Sequence, residues 1–86
     1  MDVNEAKEKV VEMNTKIGQV DFGFENQVLA LHESATKIWE AKDLELKQKR
    51  VVNALISVLL LADSLKISDV SGLLERRLVE LEKETL

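Results

Sequence analysis

Residues 51–62, VVNALISVLLLA, decide the fold. The run is apolar on nearly every side of a helix, yet Arg50, Asn53 and Ser57 recur along it at spacings of three and four. In an α-helix such positions stack on one face, so they draw a single polar stripe down a surface otherwise built of Val, Leu, Ile and Ala. So apolar a helix predicts that the stripe is buried. A buried amide or hydroxyl without a partner costs about 1–3 kcal/mol, and a guanidinium more, so a polar surface must face it. One apolar face can pack on its own chain while another packs on a second copy, which predicts a homodimer or a dimer of dimers.

Outward from this run the chain reads as helix on both sides. Val3, Ala6, Val10, Met13 and Ile17 form an apolar seam at spacings of three and four, and Gly18 stops it. The connector GQVDFG carries Phe22 and, just beyond it, Phe24; both are expected to plug the turn against the core. A second helix is predicted from Phe24 to Lys42, with Val28, Leu31, Ala35 and Ile38 on one face and Leu29 and Trp39 beside it. Asp43 caps the third helix, which runs to Lys66. Ser68 or Asp69 caps a fourth, whose apolar stripe is Val70, Leu73, Leu74, Leu78 and Leu81. The expected fold is all-α: one domain over residues 1–86, an antiparallel four-helix bundle that oligomerises through its third helix.

Composition supports this and narrows the function. Of the 86 residues 45% are hydrophobic and 33% charged, with no Pro and three Gly, which favours a helical globular domain. A net charge of −4 leaves no concentrated basic surface, arguing against general nucleic-acid binding. Without cysteine there is neither a disulfide framework nor a thiolate metal site. The run at 51–62 is shorter than the about 20 apolar residues that span a bilayer. The acidic start MDVNE is unlike a signal peptide, so a cytoplasmic location is expected.

The second helix supplies the polar surface that the third requires: Glu33, Ser34 and Lys37 lie close together, with Glu40 one turn on. Here a resemblance emerges. LHESATKIWEA at 31–41 resembles the stretch LHEEVGELAEA of the MazG-type all-α nucleoside triphosphate pyrophosphohydrolases. VVNALISVLLLADSLKISDV at 51–70 is similar to that family's ELADVLIYLLRLADKLGIDL, and DFGFENQVLAL resembles the opening of its second helix. The resemblance covers nearly the whole chain. It implies a four-helix fold and a site built from an ExxE on the second helix and an ExxD on the third. Those four carboxylates hold Mg²⁺, a hard cation that prefers oxygen ligands, so that water can attack between the α- and β-phosphates.

In this chain the four positions hold Ser34, Lys37, Arg50 and Asn53. The local formal charge changes from about −4 to about +2, which repels a divalent cation, so no Mg²⁺ and no other cofactor is expected. The expected filling is a set of ion pairs, Glu33 with Lys37 and Glu33 or Glu40 with Arg50, supported by Ser57. An alternative is a metal-independent nucleotide or phosphate pocket in which Lys37 and Arg50 grip the anion directly, helped by Arg77 on the fourth helix. A third is a pyrophosphohydrolase with a divergent site built on Glu33, Glu40 and Asp63. Of the remaining residues, His32 is expected on the helix surface, Trp39 in the core or dimer interface, and Asp63 on the surface or in a capping role. Nothing resembles a glycine-rich phosphate loop or a nucleophile with its base. The leading expectation is therefore a catalytically degenerate MazG-like protein acting as a non-enzymatic interaction or regulatory module, whose protein partner the sequence does not identify.

Overall fold

A computed structural model describes residues 1–17 and 23–85. It consists of α1 (Val3–Ile17), α2 (Phe24–Glu40), α3 (Leu44–Ser64) and α4 (Val70–Thr85), with no strand among the described residues. The four expected helices are present in the expected order. The stop at Gly18 and the packing of Phe22 lie outside the described residues.

Each described boundary has a local cause. α2 ends at Glu40, two residues early, because Ala41 turns extended at φ −65°, ψ 133°. Asp43 then caps α3 as expected, its Oδ1 accepting the Leu46 N–H at 2.8 Å. α3 closes in a Schellman motif: the Ile67 N–H donates to the Ala62 carbonyl at 3.0 Å and the Lys66 N–H to the Asp63 carbonyl at 2.9 Å. Lys66 takes the left-handed position of that motif at φ 60°, where glycine is usual and any other residue adds about 1–2 kcal/mol of strain. Of the two residues expected to cap α4, Asp69 does so, its Oδ1 accepting the Gly72 N–H at 3.0 Å.

α2 and α3 share the most extensive contact, α1 lies on α3, and α4 meets α1 over a smaller area. The packed row of α2 is Gln27, Leu31, Ser34 and Ile38, all half-buried, rather than Val28 and Ala35, which are exposed. The row has rotated by about one residue because Ser34 turns toward Ser57 on α3. On α1 the expected Val3, Ala6 and Val10 are half-buried, but Met13 is exposed and Lys7 is buried beside them, its Nζ reaching across to donate to the Ile67 carbonyl at 2.7 Å. Asn4, one turn earlier, pins the start of α4, its Nδ2 donating to Asp69 Oδ1 and its Oδ1 accepting the Ser71 N–H.

Phe24 is 54% exposed and does not plug the turn as expected, and Trp39 is 86% exposed, which removes the core half of its expected core-or-interface role. Both sit at the ends of α2, off its packed row of Gln27, Leu31, Ser34 and Ile38. The buried apolar residues are Ala41, Leu59 and Ala62, a small core for the described residues. The chain exposes 7076 Å². A compact monomer of 9.7 kDa would expose about 5,100 Å². Its radius of gyration is 14.5 Å, against about 12 Å for a compact domain of this length. The four helices are therefore arranged more openly than a bundle closed around one core.

Candidate functional site

Of the four positions singled out in the sequence, Ser34 and Arg50 lie in the contact between α2 and α3, whereas the side chains of Lys37 and Asn53 are exposed. Ser34 is half-buried on α2, and its hydroxyl lies 3.4 Å from that of Ser57 on α3. Ser57 donates to the Asn53 carbonyl at 3.3 Å, one turn back, which leaves Ser34 as the donor between the two hydroxyls. Arg50 is half-buried, and its Nη1 donates to the Lys37 carbonyl at 2.6 Å. That carbonyl belongs to the last turn of α2, where the free carbonyls and the helix dipole both favour a cation.

The polar stripe is thus neutralised differently from expectation. Among the described residues the ion pairs are Lys16 with Glu12 and Arg77 with Glu80 and Glu84. The expected pairs of Glu33 with Lys37, and of Glu33 or Glu40 with Arg50, are not formed. The guanidinium is satisfied by a backbone oxygen on the facing helix, and Glu33, Lys37 and Glu40 point outward instead. Asn53, expected to be buried, is exposed, because the packed row of α3 passes through Arg50, Ala54, Ser57 and Leu61.

Glu33, Thr36, Lys37 and Glu40 line a shallow depression of about 220 Å³ on the outer surface of α2. Two carboxylates there face one ammonium, which disfavours a polyphosphate. Arg77 lies on α4, whose main contact is with α1, so one chain does not assemble it with Lys37 and Arg50. His32 is exposed, and its carbonyl accepts from Thr36 Oγ1 at 3.1 Å. Asp63 is exposed too, and its backbone carbonyl, not its carboxylate, serves the closing motif of α3. Among the described residues no group of three or more His, Cys, Asp or Glu side chains is placed to hold a metal ion.

Sequence reasoning missed a second cleft, of about 450 Å³, at the other end of the α2–α3 pair. Asn14 and Thr15 of α1, Gln27 of α2, and Asp63 and Ser64 of α3 line it. Within it the Gln27 Oε1 is buried and has no hydrogen-bond donor among the described residues. The only sequence signal was Gln27 itself, spaced four and seven residues from Leu31 and Ser34.

No family model, curated protein or solved structure matches this chain. The geometry at the contact of α2 and α3 therefore carries the functional argument. No helix among the described residues is long and apolar enough to cross a membrane.

Proposed function

We propose that this chain is a catalytically degenerate MazG-like protein that works in the cytoplasm as a non-enzymatic, homo-oligomeric interaction or regulatory module. The observation that carries the reading is the Arg50 guanidinium on the Lys37 carbonyl at 2.6 Å. Where the MazG-type enzymes would need carboxylates turned toward a metal, this chain has a cation closing the end of α2 and two serines bonded to each other. Such groups hold two helices together and offer neither a hard-cation cage nor a base for water.

The phosphate-binding alternative would need Lys37, Arg50 and Arg77 free to converge. Arg50 is engaged by α2, and Arg77 is paired with Glu80 at 2.8 Å. A thermal-unfolding scan of the full chain against a panel of nucleoside triphosphates, with Mg²⁺ and with EDTA, separates the readings. The expected result is no shift and no pyrophosphate release. Ligand at a hundred times its dissociation constant would add about 2.7 kcal/mol, so a shift that survives EDTA would replace this reading by phosphate binding. Release of pyrophosphate with Mg²⁺ would replace it by catalysis.

A further inference from the structure

The side of α3 that faces away from α2 carries Leu44, Val51, Leu55, Val58 and Ala62 at spacings of seven, four, three and four. This is the spacing of a helix-pairing seam. α1 covers its C-terminal part, where Leu59 and Ala62 are buried. The N-terminal part is bare: Leu44, Val51, Val52 and Leu55 are each more than half exposed.

α4 has the complementary problem. Its first turn is fixed to α1 by Asn4, which bonds both Asp69 and the Ser71 N–H. Beyond that turn Leu74, Leu78 and Leu81 follow one another at spacings of four and three, and all three are exposed. The helix is held in direction at one end while its apolar stripe stays about 40–50% exposed.

Resting on the homo-oligomeric reading above, we propose that α4 of one chain packs antiparallel on the N-terminal half of α3 of a second copy, and the reverse across a two-fold axis. The area fits. Each chain exposes about 2,000 Å² more than a compact monomer would, more than the about 800 Å² per partner that a stable interface needs. The charges fit in the antiparallel sense. With Leu78 opposite Val52, the last turns of α4, whose Glu80, Glu82, Lys83 and Glu84 sum to −2, come alongside the first turns of α3, whose Glu45, Lys47, Lys49 and Arg50 sum to +2. The lengths fit as well, since Leu74 to Leu81 spans about 10 Å of helix and Leu44 to Leu55 about 16 Å.

The chain has no cysteine, so single cysteines report contacts between copies directly. A Leu78→Cys chain and a Val52→Cys chain are mixed and oxidised. In parallel, the wild type and an L74E/L78E variant are run by sedimentation velocity, with far-UV circular dichroism as the control for folding. The expected outcome is a mixed disulfide in yield well above that of either variant alone. The L74E/L78E chain should keep its helicity, because both leucines are exposed in one chain, with a dimer dissociation constant raised about a hundredfold or more. If the wild type dimerises but Val52→Cys couples chiefly to itself and L74E/L78E leaves the dimer intact, α3 pairs with α3 and the proposal fails while the oligomer stands. A wild type that is a folded monomer at low micromolar concentration overturns both. So does one that associates only with a different protein.

Discussion

The two ends of α3 are finished in different ways. At its C-terminal end Leu59 and Ala62 are buried, Lys66 closes the helix, and the Lys7 ammonium reaches Ile67 just beyond. At its N-terminal end Asp43 caps the helix, yet Leu44, Val51, Val52 and Leu55 face outward. Polar pins and apolar burial coincide in the first region and separate in the second. Hydrogen bonds and caps set the direction of a helix but add little net stability, whereas apolar contact supplies most of the driving force and is indifferent to which chain provides it. A small chain can therefore fix its helices by internal polar contacts and still depend on a second copy to bury what they display.

The sharpest way to break this contrast is to remove one leucine from each region. Leu59 is only 4% exposed, and Leu59→Ala should cost about 2–5 kcal/mol in urea unfolding, independent of protein concentration. Leu55 is 54% exposed, so Leu55→Ala should leave a dilute sample nearly unchanged and lose more as concentration rises and the wild type gains from association. Equal, concentration-independent losses at the two sites would show that the regions do not differ.

A smaller effect is expected at Lys7. Lys7→Met keeps most of the apolar stem and removes the charged donor to the Ile67 carbonyl, so about 1.5–3 kcal/mol should be lost. Hydrogen exchange should then quicken in the first turn of α4, whose position relative to α1 depends on the same junction. Unchanged exchange there would mean that Asn4 alone holds α4.

Helix number, order and caps were legible because they depend on neighbours in sequence. Asp43 and Asp69 each precede an apolar run and cap it as their positions imply. Face assignment was legible only in part. Val28 and Ala35 match the apolar period as well as Leu31 and Ile38 do, and the choice between rows fell to Ser34 meeting Ser57, a contact 23 residues apart in sequence. Lys7 was illegible for a related reason: a lysine inside an apolar seam signals solvent unless its acceptor, here 60 residues away, is known. At the contact of α2 and α3 the sequence placed Ser34, Arg50 and Ser57 together, but opposite charges suggested ion pairs where a backbone carbonyl prevailed. A carbonyl leaves no mark in the sequence.

The smallest expected effect lies where both regions meet the pH. The Asp69 carboxyl is held below the ordinary carboxylate value, first by the Asn4 side chain, then by the Gly72 N–H and the charge of Arg76, against a partial loss of solvation. A depressed value in the folded chain means that, near the unfolded value of about 3.9, the unfolded chain binds more protons. The stabilisation is therefore present above about pH 4 and disappears as the pH falls through the folded value. Asp69→Asn keeps an oxygen for the Gly72 N–H but has no charge to lose, so its melting temperature should lie below the wild type's at neutral pH. The difference should then shrink as the pH falls below about 4 and through the lowered folded-state value. Because the carboxylate is exposed, added salt should narrow the part of the gap due to Arg76 while sparing the part due to the two hydrogen bonds. Parallel pH curves for the two chains would mean that Asn4 and Gly72 hold the protonated and ionised carboxyl equally well, and that the pin on α4 is geometric rather than electrostatic.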